Sequence, residues 1–117
     1  MMNKKKFTTY NDGMLYICEG GKKDSDFNVI KNPKTIKDLT KEVKLAYKEM
    51  SQRDQDIEFA KSEGRMLSLK VKTRLYNDIN RLKLVLIENT LYSIFKLDID
   101  RQRQELYLYL EEMRTFK

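Results

Sequence analysis

Leu82-Lys83-Leu84-Val85-Leu86-Ile87-Glu88-Asn89-Thr90-Leu91-Tyr92-Ser93-Ile94-Phe95-Lys96-Leu97-Asp98 reads as two β-strands joined by a short polar break. Glu88-Asn89-Thr90 has the length of a tight hairpin turn, and its flanks are rich in residues that suit a pleated sheet. Alternation along the second strand puts Leu91, Ser93, Phe95 and Leu97 on one face and Tyr92, Ile94 and Lys96 on the other. Both faces are largely apolar.

The same period of two recurs on either side. Met66 to Thr73 carries Leu67, Leu69 and Val71 on one face and Ser68, Lys70 and Lys72 on the other, a half-buried strand with a solvated, basic outer side. Asp98-Ile99-Asp100-Arg101 interrupts the pattern with two carboxylates able to hydrogen-bond backbone N–H groups in a turn. Glu105 to Met113 then resumes it, with Leu106, Leu108 and Leu110 inward and Tyr107 and Tyr109 outward beside Glu111. In the first half, Met14 to Glu19 reads as a strand ended by Gly20-Gly21, and Lys22 to Lys34 as a loop containing Asn32-Pro33. Leu39 to Met50 fits two templates. Val43, Leu45 and Tyr47 alternate as in a strand, whereas Leu39, Val43, Ala46 and Met50 share a helical face; the strand reading is preferred. Ser51 to Gly64 is polar, with Ile57, Phe59 and Ala60 as its apolar residues, and reads as a short helix or ordered surface loop stopped by Gly64.

These segments lie in 117 residues and 14.1 kDa, enough for one small domain with one core. The chain is 40% hydrophobic and 36% charged, and its seven Tyr and five Phe argue against wholesale disorder. The formal net charge of +6 permits contact with a polyanion. Residues 1–50 hold 11 basic and 7 acidic side chains, against 13 and 11 in residues 51–117, so the bias is mostly N-terminal. Lys4, Lys5 and Lys6 sit in a flexible basic extension over residues 1–11 and, with Lys70 and Lys72, are the candidate phosphate contacts.

The residue inventory offers little chemistry. Histidine is absent, which removes the commonest metal ligand and general base, and the single Cys18 cannot form an internal disulfide. Set beside Met14-Leu15-Tyr16-Ile17, Cys18 reads as a small buried hydrophobe. The glycines at 13, 20, 21 and 64 make no phosphate-binding loop, and the Asp54/Asp56 and Asp98/Asp100 pairs lack the Gly and distal Glu of a calcium loop. No catalytic residue, cofactor, metal or small-molecule substrate is assigned, and an enzyme is not expected. The apolar run Leu84–Ile87 is far short of the roughly 20 residues that span a bilayer, so no membrane contact is expected. Tyr107 and Tyr109 are interface candidates, or stacking platforms for bases in a rival reading as a nucleic-acid-binding barrel.

The ordered series of segments resembles the phage head–tail adaptor family, also called head–tail joining, head-closure or stopper proteins, of tailed phages and prophages of Gram-positive bacteria. Four stretches carry the resemblance: Asp12 to Ile17; Ala46 to Ala60 with its Tyr47-Lys48-Glu49 and Arg53-Asp54-Gln55-Asp56 character; Gly64-Arg65 leading into Leu67 to Thr73; and Asn89 to Arg101 continuing to Leu106 to Glu112. Ile99 departs from the family, standing where many relatives have Pro. The resemblance covers most of residues 12–114. It implies a small β-barrel or sandwich with one long loop, forming a homo-oligomeric ring between portal vertex and tail. The implied partners are the portal or adaptor ring, a tail-completion protein and, transiently and without sequence preference, packaged DNA. The implied location is the virion neck, after synthesis in the bacterial host cytoplasm. The family's long loop corresponds to Lys48 to Arg65, making Lys48, Arg53, Asp54, Asp56, Glu58, Lys61 and Arg65 the channel or ring-contact residues. The expected fold is mainly β, a single antiparallel barrel or sandwich of five to six strands with one long loop or short helix.

Overall fold

A computed structural model describes residues 10–19, 36 and 39–116. In chain order its elements are β1 (Gly13–Cys18), β2 (Lys41–Glu49), α1 (Asp54–Ser62), β3 (Leu69–Arg74), β4 (Leu84–Ile87), β5 (Thr90–Asp100) and β6 (Glu105–Thr115). Every neighbouring pair is antiparallel and the strands close into a barrel in the order β1-β2-β3-β6-β5-β4. Of the expected alternatives, barrel or sandwich and long loop or short helix, the chain adopts the six-stranded barrel with one short helix. Lys4, Lys5, Lys6 and nearly all of the basic extension, like the loop from Lys22, lie outside the described residues.

The interior is filled from every strand. Leu15 and Ile17, Val71, Val85, Ile94, and Leu106, Leu108 and Leu110 pack together, and Val43, Leu45 and Tyr47 close the β2 side. Each such side chain taken fully from water contributes roughly 1.5–3 kcal/mol. Residues 41–49 are strand because Val43, Leu45 and Tyr47 supply the inward face that β1 and β3 lack between them, and this packing decides against the helical template. On the outside, Cys18, Leu86, Leu91 and Phe116 form a second cluster under Ile36 and Leu39.

Three register shifts interrupt the pairing of the described strands, one of them at Met113 of β6 and the other two at Phe95 of β5 and Glu42 of β2. In β5, Ile94 pairs with Leu110 and Lys96 with Tyr109, leaving Phe95 as the extra residue. Tyr92, Ile94 and Leu97 therefore pack on the interior, while Phe95 joins an outer cluster with Ala60 and Tyr109. Phe95 and Leu97 do not share a face, contrary to the alternating pattern. In β2, Ile17 pairs with Val43 but Cys18 with Lys41, so Glu42 is the extra residue.

The turns follow local chemistry. Glu88, at φ 55°, and Asn89 make the two-residue link between β4 and β5. Between β5 and β6 the Asp100 carboxylate accepts the Arg103 N–H at 3.1 Å, and Gln104 takes φ 58°. Asp98 plays no part in that turn; it lies within β5.

Candidate functional site

The most elaborate part of the molecule is the outer face of β3, β6 and β5, where α1 docks. Its first turn is organised by Asp56. The Asp56 Oδ2 accepts the Arg53 backbone N–H at 3.0 Å, and the Asp56 N–H donates to the Arg53 carbonyl at 2.9 Å, half of a capping box. The helix ends in a Schellman motif. Gly64, at φ 71°, donates to Lys61 O at 2.9 Å and Arg65 N–H to Ala60 O at 2.8 Å.

Beneath the helix, the Lys70 Nζ donates to Asp56 Oδ2 at 2.9 Å, with the two side chains only 6% and 5% exposed. Burial pushes the Asp56 carboxyl up, but the Arg53 N–H, the Lys70 ammonium and the Arg53 charge outweigh it and hold the carboxyl below its ordinary value. Lys70 also stands 5.1 Å from the centre of the Tyr109 ring, and Lys96 lies 4.8 Å from both the Tyr109 and Phe59 rings. Tyr109 is buried and its hydroxyl donates to Asp98 Oδ2 at 2.9 Å. Burial, then that hydrogen bond and the Asp98 charge, raise its phenol far above the ordinary value. Phe59 stacks on Phe95 at 6.3 Å. At the helix end Arg65 bonds Glu111, donates to Ser93 Oγ at 2.9 Å and lies 5.4 Å from the Phe95 ring centre.

Further along the same face the Lys72 Nζ is 3.7 Å from Glu105 Oε2, which also accepts the Tyr10 hydroxyl at 3.2 Å. Glu105 is 2% exposed, and its Oε1 has no hydrogen-bond partner. Beside the start of α1 an open groove of about 440 Å³ is lined by Met50, Arg53, Asp98, Ile99, Tyr107 and Tyr109 among others.

This arrangement redistributes the residues singled out from sequence. The segment from Lys48 to Arg65, matched by resemblance to the family's long loop, contains the short helix, docked on the barrel with Asp56 and Ala60 buried. Asp56 faces the barrel and is buried, whereas Arg65, half-buried, clamps the helix end to β5 and β6. Lys48, Arg53, Asp54, Glu58 and Lys61 are exposed. Lys70 and Lys72 do not form a solvated basic face, because each ammonium is held in an ion pair. Of the two tyrosines, Tyr107 is half-buried on the groove wall and Tyr109 is covered by α1. The Asp56–Lys70 pair escapes a sequence reading because both residues look like surface charges. The signal that points to it is Asp56 three residues after the helix N-cap Arg53, opposite a strand face whose next neighbour is an aromatic residue.

Chemically, the face is built to hold shape. Its buried cations are matched by carboxylates and aromatic rings, and among the described residues no three acidic or cysteine side chains gather in a way that could hold a metal ion. No helix of the described residues is long and apolar enough to cross a membrane. No protein-family model matches the chain. No curated protein is significantly similar to it in sequence.

Proposed function

We propose that the protein is a structural component of the phage neck, a head–tail adaptor that joins the DNA-filled head to the tail as a homo-oligomeric ring and helps close the DNA channel. The observation that carries this reading is the order of the four resembling stretches along one closed barrel. Residues 12–17 supply β1, 46–60 the end of β2 and most of α1, 67–73 supply β3, and 89–112 the β5–β6 hairpin. A barrel whose helix is pinned by an internal ion pair is a stiff unit, and stiffness is what a load-bearing ring position requires. Because β4 closes onto β1, neighbours in a ring meet through side-chain faces and not through a bare strand edge. The exposed Arg53, Asp54, Glu58 and Lys61 of the α1 region form a mixed-charge surface suited to a matching subunit face.

The rival reading as a nucleic-acid-binding barrel named Lys70, Lys72, Tyr107 and Tyr109, and the internal commitments of Lys70, Lys72 and Tyr109 weaken it. The test of the adaptor reading is incubation of the purified protein with DNA-filled, tailless heads, followed by electron microscopy of the portal vertex. Added density there with tail attachment restored supports the reading; a bare vertex refutes it. Deleting residues 52–62 is a poor probe of ring contact, since it removes the carboxylate that neutralises buried Lys70. Asp54→Lys with Glu58→Lys reverses charge on the exposed face and leaves that pair in place.

A further inference from the structure

We propose that the outer face of β2, carrying Lys41, Lys44 and Lys48 beside Tyr16 of β1, is a binding site for duplex DNA phosphates, read without regard to base sequence. It rests on the neck reading only for the origin of the duplex, the packaged genome. The site is made by the β2 bulge. Ordinary alternation would send Lys41 and Lys44 to opposite faces. With Glu42 as the extra residue, both ammonium groups instead lie by the Tyr16 ring, at 4.4 and 5.8 Å from its centre. Lys48, four residues beyond Lys44 on the same strand, shares its face.

Three features leave these lysines available to an anion. They are exposed. Among the described residues they form no ion pair, whereas Lys70, Lys72 and Lys83 all do. Of the two acids in their strand, Glu42 is withdrawn: both its oxygens accept from Lys83, at 2.7 and 2.6 Å, and Oε1 also accepts from the Tyr76 hydroxyl at 2.7 Å, while Glu49 is exposed at the strand end beside Lys48. Asp12, near the other end of the strand, has its Oδ2 on the Glu49 N–H at 2.7 Å. What faces outward is a strip of positive charge about 20 Å long at the usual strand rise, or roughly six base-pair steps of duplex. Lysine suits a channel through which DNA must slide, because its ammonium is a point charge on a flexible stem with no fork to lock onto one phosphate.

The test is fluorescence anisotropy of the purified full chain with a labelled duplex of about 30 base pairs, from about 50 to 200 mM salt. The wild type is expected to bind with affinity that falls steeply with salt. The triple variant Lys41→Gln/Lys44→Gln/Lys48→Gln is expected to lower the slope of log affinity against log salt by about 2 to 3. The control Arg81→Gln/Arg101→Gln, which removes two exposed cations elsewhere, is expected to leave the slope within one unit. An unchanged slope in the triple variant, an equal loss in the control, or no binding by the wild type at about 50 mM salt overturns the proposal. Circular dichroism of the variants separates loss of binding from loss of fold. If wild-type protein restores tails while the slope is unchanged, the site is wrong and the neck reading stands. A bare vertex with the expected slope change leaves the site and removes the neck reading.

Discussion

Asp56→Ala removes a single carboxylate and is expected to be among the most damaging side-chain truncations in the molecule. The carboxylate is 5% exposed and lies 2.9 Å from a Lys70 ammonium that is 6% exposed. Taking it away leaves that ammonium buried beside the Tyr109 ring with no carboxylate, and frees the Arg53 N–H at the helix start. Breaking a buried pair from one side costs about 3–5 kcal/mol, against a total of about 5–15 kcal/mol for a domain of ordinary stability. At a urea dependence of about 2 kcal/mol/M the unfolding midpoint moves down by about 2 M. Lys70→Met alone strands the carboxylate instead. The double variant removes both charges and is expected to recover at least about 2 kcal/mol relative to the sum of the single losses. Urea denaturation followed by far-ultraviolet circular dichroism at pH 7 measures all four proteins. An Asp56→Ala loss below about 1 kcal/mol, or single losses that add in the double variant, would refute the assignment of this pair as the anchor of α1.

The same pair has a pH signature: the folded Asp56 carboxyl sits below its ordinary value of 3.8, so its contribution is complete above that value and disappears as pH falls through the lower folded value. The stability gap between wild type and Asp56→Ala is therefore expected to narrow as acid titrations pass below pH 3.8. Tyr109→Phe deletes the hydrogen bond to Asp98 and is expected to cost about 1–2 kcal/mol at neutral pH. Because the native phenol is raised above 10.0, wild type loses stability as pH climbs beyond 10, and in an absorbance titration the variant is expected to lack one tyrosine that ionises above the ordinary range. The Cys18 thiol, pushed up to about 11 by burial, is expected to resist an aromatic disulfide reagent at pH 8 until urea unfolds the chain. Arg65→Gln breaks the link from the end of α1 to Glu111 and Ser93, with an expected loss of about 1–2 kcal/mol in the same urea assay.

Strand identity was legible wherever one face is buried. Leu106, Leu108 and Leu110 against Tyr107 and Tyr109 leave little freedom of interpretation, and all three leucines are interior. Alternation stops being informative where the backbone gains a residue: nothing in Ser93-Ile94-Phe95-Lys96 announces that Phe95 is the extra residue. The polar stretch around Asp56 was legible as a short helix, but its polarity was misleading. A carboxylate that faces a lysine across the helix–sheet interface has the same letters as one that faces water. Basic residues misled in the opposite sense. Lys70 and Lys72 looked free and are paired, whereas Lys41 and Lys44, three positions apart, are brought together by a bulge that composition does not encode.

The closing seam of the barrel joins strands remote in the chain: Tyr16, Ile17 and Cys18 of β1 meet Leu86, Val85 and Leu84 of β4. The β4, β5 and β6 meander can assemble from contacts between sequence neighbours, but the seam forms only when β1 has been carried back across the intervening length. Loop-closure entropy places that step late and makes it slow compared with hairpin formation. Cys18 lies on the seam itself, so during refolding its thiol is expected to stay open to reagent after the meander has formed and to shut as β1 docks. A pulse of thiol label at increasing refolding times is a clock for the moment the barrel becomes a barrel.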